Sequence, residues 1–421
     1  MIRAAGLVSR GAVFADSADL DAFGRLRVSP PYTIFDSKQL IDAQPLFWDD
    51  QQTAGAGTAS TYLPNLSVTR LDVTGNVAGT RVRQTFRRFH YEPGKSHLIL
   101  LTGILTAEGG AGVTGITSRI GYFDTDNGVF FQRVGSVNSV VVRTFTSGAP
   151  VDTVTAQASW NLDRLDGTGP SKITLDPTKT QIFFIDFQWL GVGRVRFGFD
   201  IGGVIVYCHQ ILNANVLIVP FLTSPNLPLR YELSSAGTGA AVTASLLHIC
   251  ASVQSEGGTE TTGTAFAADR GATILTTGND TNIYSLLAIR YKTATANRFA
   301  TIAKLQYSVM SSTANATFRM GLVLNPTMAG AALVWVSVPN SAIEVAVPVA
   351  ANLLTAGTGT TFASFYDSQN RSGTLLPQLP TDLRIGSSIA GVSDIMFLFV
   401  QPVPVQGATA FFGSINWLEQ V

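Results

Sequence analysis

The chain alternates apolar and polar residues in short runs that end at turn-forming residues. Arg81–Tyr91 alternates along its length and stops at Glu92-Pro-Gly94, whereas His97–Thr102 is the continuous apolar run of a central strand. Arg119–Asp124 and Gly128–Arg133 flank a turn of the Asn-Gly type and predict a β-hairpin. No window keeps the 3.6-residue period of an amphipathic helix. The pattern therefore predicts an all-β chain.

The spacing of these runs divides the chain into two blocks of strands. Residues 61–254 and 265–421 each predict a β-sandwich or jelly-roll-like domain, because short strands recur at regular intervals with Gly- and Asn-rich turns between them. Residues 255–264 (SEGGTETTGT) have the composition of a linker. Residues 1–60 are weakly patterned and predict an extended N-terminal arm.

The predicted arm contains large apolar residues without the periodicity to bury them in a unit of its own. A stop at Pro30-Pro31 keeps this part of the chain extended. We expect the arm to lie along its own sandwich or along a neighbouring subunit, because each solvated aromatic side chain forfeits about 2 kcal/mol of burial. The residues concerned are Phe14, Phe23, Phe35, Phe47 and Trp48.

Composition points to assembly. Charged residues make up 13% of the chain, against about 25% in ordinary soluble domains, and hydrophobic residues make up 46%. No apolar run approaches the roughly 18 residues of a membrane-spanning helix, so we expect no membrane insertion. A low-charge, apolar surface outside lipid is usually buried against neighbouring protein. We therefore expect a homo-oligomer.

Charge balance and cysteine usage limit the possible partners and the compartment in which the chain folds. Lys plus Arg and Asp plus Glu both total 28, so no net field favours nucleic acid as a partner. The first residues lack the apolar core of a secretory signal. Two cysteines, Cys208 and Cys250, do not make a disulfide framework, and we expect the chain to fold in a reducing cytoplasm.

One cluster of residues could in principle bind zinc: Cys208-His209 with His248 and Cys250. Strand alternation places the adjacent Cys208 and His209 on opposite faces, whereas His248 and Cys250 should share one face. At most three of these ligands then converge. Free cysteine is also among the most buried residue types, so we interpret these residues as core and expect neither metal nor cofactor.

Other candidate chemistry is weaker. Asp124–Gly128 (DTDNG) resembles the start of a calcium loop, but its glycine falls at position five instead of six, and a hairpin turn explains the same residues. The motifs of serine hydrolases, P-loop proteins and zinc proteases are absent. We therefore predict no catalytic residues. Spacing alone leaves open a pair of glycosidase carboxylates that meet in space.

Two groups of residues are candidate interaction sites. Arg81, Arg83 and Arg87 form the densest positive strand face, which we interpret as a contact between subunits in preference to a nucleic-acid site. In the arm, we predict assembly contacts at Phe23, Arg25 and Arg27. Of the tryptophans, Trp160 lies between Ser and Asn and could stack on a sugar, whereas Trp189 lies in an apolar run typical of a core.

Five segments resemble a family of virion structural proteins of tailed bacteriophages. The clearest is Asp21–Lys38 (DAFGRLRVSPPYTIFDSK), and the resemblance extends over most of residues 20–330. The resemblance implies a component of the virus particle, made in the host cytoplasm, and implies no catalytic residues. The other four segments are Arg83–Ser96, Arg119–Phe131, Trp189–Gly198 and Ala316–Pro326.

Three functional hypotheses follow. The first is a non-enzymatic structural subunit of a phage particle, either a tail, baseplate or fibre-type appendage or a capsid decoration, that binds copies of itself and other virion proteins. By analogy with spikes at threefold positions we expect a trimer. The alternative is a carbohydrate-binding module that recognises a host surface glycan. The third is a polysaccharide depolymerase, which requires two carboxylates facing each other across a groove.

Overall fold

The computed structural model describes residues 20, 23, 31–106, 114–258, 262–292, 301–368, 385–403 and 405–420. Within these residues the regular structure consists of antiparallel strands and one 3₁₀ turn at Gln157–Ser159. The predicted all-β fold class is confirmed. The strands form four sheets, which pack in pairs as two β-sandwiches.

The first sandwich extends from Tyr32 to Glu256. Its strands are β1 Tyr32–Lys38, β2 Trp48–Gly55, β3 Thr58–Leu63, β4 Val68–Thr74, β5 Ala78–Thr85, β6 Ser96–Ile104, β7 Ile116–Phe123, β8 Gly128–Val134, β9 Val137–Thr144, β10 Val151–Ala156, β11 Gln181–Phe187, β12 Val195–Ile201, β13 Val204–Ile211, β14 Leu229–Ala236 and β15 Thr243–Glu256.

These strands form an eight-stranded sheet A and a seven-stranded sheet B. Sheet A has the order β13-β12-β11-β6-β15-β4-β3, and β1 pairs with the second half of β15. Sheet B has the order β10-β9-β8-β7-β14-β5-β2. Many neighbours in both sheets are distant in sequence, so the jelly-roll-like sandwich closes through long-range pairing.

Inward-facing residues of sheets A and B form one apolar core. Alternate residues of each strand point inward, as the two-residue period of a strand requires. The ring of Phe131 in sheet B lies 5.1 Å from that of Phe183 and 5.0 Å from that of Phe199, both in sheet A. The centre of the sandwich is therefore joined by aromatic contacts between the two sheets.

The second sandwich extends from Thr264 to Gln420. Its strands are β16 Thr264–Asp269, β17 Leu275–Thr276, β18 Ile283–Tyr291, β19 Thr301–Ser311, β20 Thr317–Leu324, β21 Met328–Ala329, β22 Trp335–Ser337, β23 Ile343–Ala346, β24 Leu353–Leu354, β25 Thr360–Ser368, β26 Met396–Pro402 and β27 Ala410–Gln420.

Four of these strands form sheet C around β27, which pairs with β19 on one side and with β16 and β17 on the other. The other eight form sheet D, with the order β21-β24-β18-β26-β20-β25; β23 also pairs with β18 and with β22. An apolar core lies between sheets C and D. A second cluster around Phe397 and Phe399 covers the outer face of sheet D.

The structure differs from the predicted boundary of the N-terminal arm. Residues 32–63 form β1, β2 and β3, which are strands of the first sandwich. Phe35 and Trp48 are buried in its core, as expected of the arm's aromatic residues, but Phe47 is 49% exposed. Leu20 is buried, and its carbonyl accepts a hydrogen bond from Arg196 on the outer face of sheet A.

The predicted linker is shorter than its composition suggests. β15 continues to Glu256 and β16 begins at Thr264, so both ends of 255–264 belong to strands. The two sandwiches also touch away from this connection. The Asp49 carboxylate accepts a hydrogen bond of 2.6 Å from the Ile389 N–H, and the carbonyl of Phe86 accepts one of 3.4 Å from the Ser387 N–H. The division into two domains stays a prediction.

The centre of sheet D depends on the absence of a side chain at Gly321. A Cβ atom at this position would lie 1.9 Å from the carbonyl oxygen of Ala363 on β25 and 3.0 Å from the ring of Phe399. We expect Gly321→Ala to lower the free energy of unfolding by about 1–3 kcal/mol through overpacking. Urea denaturation followed by tryptophan fluorescence measures this difference.

The control is Gly407→Ala, because a Cβ atom at this exposed position would meet nothing within 4 Å. Its effect should stay within about 0.5 kcal/mol. Equal effects of the two substitutions would contradict the described packing of β20 against β25.

Candidate functional site

The four candidate zinc ligands lie on distant strands. Cys208 and His209 belong to β13 at the edge of sheet A, and His248 and Cys250 belong to β15. Three strands separate β13 from β15, which places them about 19 Å apart at roughly 4.8 Å per strand. One ion cannot be bound by all four, since zinc–ligand distances are about 2.0–2.3 Å. Among the described residues no group of three or more His, Cys, Asp or Glu could hold a metal ion.

The expectation that His248 and Cys250 share one face is wrong. His248 pairs with Gly103 and Cys250 with Thr102, so Ile249 is an extra residue and forms a β-bulge. His248 points into the core, where its ring stacks on Tyr231 with centroids 4.0 Å apart. Cys250, opposite Thr102, lies on the outer face. The bulge breaks the alternation on which the expectation depended.

The cysteine and histidine environments match a structural role. Burial raises the pKa of the Cys208 thiol well above its usual value. Burial, reinforced by the charge of Arg83, lowers the pKa of His248 well below 6.5. Arg83 Nε donates a hydrogen bond of 3.0 Å to Nδ1 of this neutral imidazole. The Cys208 thiol is therefore buried and protonated, and Arg83 occupies Nδ1 of the His248 ring, so both side chains contribute to the packing of the core.

The Asp124–Gly128 segment is a hairpin turn between β7 and β8. Asp124 Oδ1 accepts hydrogen bonds from the N–H groups of Asp126 and Asn127 at 2.7 and 2.8 Å, and its Oδ2 accepts one of 2.5 Å from Arg88. Burial alone would raise the pKa of Asp124, but Arg88 and the two N–H groups outweigh it and lower the pKa. The carboxylate oxygens are therefore occupied by protein donors.

The predicted arginine face is largely internal. Arg81 and Arg83 both bind the Asp50 carboxylate, and Arg83 is buried. Arg87 donates to the Ile34 carbonyl at 3.0 Å and lies over the Phe89 ring. Of the arm residues predicted to make assembly contacts, Phe23 is half-buried in a turn, and Arg25 and Arg27 lie outside the described residues. Their role in contacts between subunits stays a prediction.

The proposed stacking role of Trp160 is contradicted by its position. Trp160 is 4% exposed, and its ring centroid lies 6.4 Å from that of Phe199 in the core. Its Nε1–H donates to the Thr155 carbonyl at 3.3 Å. The polar residues on either side of Trp160 belong to a turn, and their polarity does not determine the direction in which the indole ring points. Trp189 is half-buried and packs against the same core.

Sequence reasoning missed an arginine–aromatic network on the outer face of sheet B. The rings of Phe123 and Phe130 lie 4.3 Å apart, and both are fully buried. Three guanidinium groups cover them: Arg143 lies 5.3 Å and Arg119 5.8 Å from the Phe130 centroid, and Arg230 lies 5.3 Å from the Phe123 centroid. Planar guanidinium groups over aromatic rings are favourable cation–π contacts.

Carboxylates hold this network in place. Glu232 binds Arg119, and it accepts a hydrogen bond of 2.9 Å from Arg230 Nε. Asp152 forms a bidentate pair with Arg143, with distances of 2.7 and 2.9 Å. Burial alone would raise the pKa of Glu232, but Arg230 and Arg119 outweigh it and lower the pKa from 4.5 to about 2. Glu232 thus stays ionised at neutral pH and has no proton to donate.

A separate feature, which is exposed to solvent, is an apolar ridge at one end of the first sandwich. We give this name to Leu190, Leu212 and the Val216–Val219 segment, which follow β11 and β13. Ile218 is 100% exposed and Val216 is 70% exposed. The ridge is anchored at its base, because Asn213 Nδ2 donates to the Gly193 carbonyl at 2.8 Å and the Leu217 N–H donates to the Asn213 carbonyl at 3.1 Å.

Comparison with known proteins gives no family. No family model and no curated protein matches the chain. Solved structures similar to it include a legume lectin-like domain from Entamoeba histolytica (9% identity, TM-score 0.32, 54% of this chain and 98% of that chain). An endo-1,3-β-glucanase from Streptomyces sioyaensis is similar at 12% identity and a TM-score of 0.37, over 54% of this chain and 98% of that chain. These neighbours are β-sandwich proteins. The described residues contain no helix long and apolar enough to span a membrane.

The Glu232 network predicts a pH-dependent contribution to stability. The folded pKa of about 2 lies below the unfolded value of 4.5, so the stabilisation is complete above about pH 5 and is lost as the pH falls through 2. Glu232→Gln should cost about 3 kcal/mol of unfolding free energy at pH 7. That cost should shrink by roughly 2 kcal/mol at pH 3. Urea denaturation at both pH values measures it.

Asp36→Asn provides the matched control, since Asp36 pairs with Lys38 at 3.1 Å while largely exposed. Its cost should stay below about 1 kcal/mol at both pH values. A cost for Glu232→Gln that does not change with pH would show that the carboxylate is not held ionised by its arginines.

Proposed function

We propose that this chain is a non-enzymatic structural subunit of a bacteriophage particle that associates with copies of itself through the apolar ridge. The exposure of the ridge is the observation that carries this proposal. Four consecutive apolar residues, Val216–Val219, are exposed at the tip of an anchored loop. Exposed contiguous apolar surface on a soluble protein marks an interaction site.

The energetics of the ridge favour association. Fully burying a Val, Leu or Ile side chain is worth about 1.5–3 kcal/mol. The loop is already held by two hydrogen bonds, from Asn213 Nδ2 to the Gly193 carbonyl and from the Leu217 N–H to the Asn213 carbonyl. Little conformational entropy is therefore lost when a partner covers it. A preorganised apolar loop of this kind suits a permanent contact between subunits better than a transient one.

A place in a virus particle is supported by the sequence. Five segments resemble virion proteins of tailed phages, and the low charge suits a subunit that is tiled against neighbours. Part of the N-terminal region lies against its own sandwich, since the Leu20 carbonyl binds Arg196. We propose a trimer on the analogy with threefold appendages, made in the host cytoplasm and located in the tail, baseplate or capsid surface.

The absence of catalysis is part of the proposal, and the outer face of sheet B supports it. A retaining or inverting glycosidase needs one protonated and one ionised carboxyl group. Glu232 is bound by two arginines, Arg119 and Arg230, which lower its pKa and keep it ionised at neutral pH. This face can bind through hydrogen bonds and charge, but the ionised Glu232 is a poor general acid.

The ridge predicts the effect of a charged substitution on assembly. Ile218→Asp places a charge at the fully exposed tip without disturbing the core. We expect the dissociation constant of the oligomer to rise at least tenfold, because the new carboxylate would have to be buried at the contact. Sedimentation equilibrium of the full-length protein measures the constant.

Val204→Asp tests the specificity of this effect. Val204 is 62% exposed at the hairpin between β12 and β13, outside the ridge. It should leave the oligomer unchanged. If Ile218→Asp and the parent protein have the same mass at every concentration, the ridge is not the contact between subunits.

Recognition of a host surface glycan is a second candidate function, favoured by the arginine–aromatic network of sheet B. Arginine, glutamine and carboxylate groups are gathered there on one sheet face, an arrangement that supplies the donors and acceptors that orient a sugar. Arg119 and Arg143 remain partly exposed and form the outermost layer of the network. An acidic polysaccharide would suit these guanidinium groups best.

A glycan array with the full-length protein tests this candidate. Arg143→Gln should weaken retention of an acidic glycan at least tenfold, because it removes a guanidinium group from the network surface. Arg290→Gln is the matched control: Arg290 also binds a carboxylate, Glu344, and lies over a ring, Trp335, but in the second sandwich. If the parent protein retains no glycan, or if both variants behave alike, this candidate is wrong.

A further inference from the structure

The outer face of sheet D contains an open cavity of about 190 Å³. The loop between β24 and β25 forms one wall, and strands β18, β20 and β26 form the floor. Its lining combines apolar side chains with one cation and several threonines. The residues that matter below are Arg319, Val323, Leu354, Thr355, Thr361 and Phe399.

Arg319 supplies the charge of the cavity. It lies on β20 between β25 and β26, with its guanidinium carbon 5.2 Å from the Phe399 ring centroid. Gly321, two residues further along the same face, leaves the space that the ring occupies. The floor of the cavity therefore consists of a guanidinium group beside an aromatic ring.

The Nε–H group of Arg319 is buried and has no hydrogen-bond acceptor among the residues that the structure describes. No ion pair joins Arg319 to a described carboxylate, and no acidic residue lines the cavity. Arg290 on the same sheet makes the contrast clear: it also lies over a ring, Trp335, but binds Glu344. Burying a donor of a charged group without an acceptor is unfavourable, and a ligand could supply that acceptor.

We propose that this cavity binds a carboxylate group with a short apolar body. The carboxylate would accept hydrogen bonds from the fork of Arg319, a geometry that guanidinium and carboxylate groups share. The body would pack on Val323, Leu354 and Phe399, and Thr355 and Thr361 also line the cavity. The volume corresponds to about six water molecules, which fits a small acid or the acidic end of a larger molecule.

This inference does not rest on self-association or on the sheet B network, because the cavity belongs to the second sandwich. Its carboxylate could come from a free small acid or from an acidic sugar. Butyrate and glucuronate represent these two sources. Butyramide has nearly the shape of butyrate without the charge, and inorganic phosphate represents a different class of anion.

Isothermal titration calorimetry of the full-length protein with each of the four probes tests the proposal. We expect butyrate or glucuronate to bind at least tenfold more tightly than butyramide. Arg319→Gln should abolish that preference, whereas Arg290→Gln should retain it. Circular dichroism verifies that both variants are folded.

Should Arg319→Gln fail to fold, Ala356→Leu provides a second test, because Ala356 lines the cavity mouth and a larger side chain there obstructs it while Arg319 is retained. This variant should lose binding of either acid at least tenfold. The proposal is overturned if neither acid binds, if butyrate and butyramide bind equally, if phosphate alone binds, or if Ala356→Leu binds as the parent does.

Discussion

The two-residue period of the strand is the constraint on which the rest of this structure depends. On β14, Leu229, Tyr231 and Leu233 point into the core of the first sandwich, while Arg230 and Glu232 point outward into the network of sheet B. The same backbone pairing that closes the sandwich therefore gathers the arginines, carboxylates and rings of β7, β8, β9, β10 and β14 on one face. The strand register therefore determines both which residues pack in the core and which residues form the network on the outer face.

Departures from that period are equally informative. The bulge at Ile249 turns His248 inward against Tyr231 and leaves Cys250 on the outer face, which separates residues that simple alternation places together. The ion pairs respond to the same constraint. Arg83 on β5 is a charged residue in a buried position, and its partner Asp50 lies on β2. These two strands are neighbours in the sheet although they are separated in the sequence.

The fold class could be predicted from the sequence, because alternation and short continuous apolar runs are local signals, and most strands from β5 to β15 show one or the other. The boundary of the arm could not: β2 and β3 consist largely of Gln, Thr, Ala, Gly and Ser, which have the composition of a loop but pair at sheet edges. The Glu232 network escaped notice for another reason. Its members come from separate strands, and only the pairing of β14 with β7 brings Glu232 beside Arg119. The direction of the Trp160 side chain likewise depends on tertiary packing, which cannot be predicted from the polar residues beside it in the sequence.

The central claim is that the apolar ridge is covered when copies of this chain associate. Carbene footprinting of the unmodified protein at low and at high concentration tests it directly, because the label reports the solvent accessibility of individual side chains. The account predicts that labelling of Val216–Val219 falls as concentration rises, while labelling of exposed Val204 stays constant. Equal labelling of the ridge at all concentrations would contradict it.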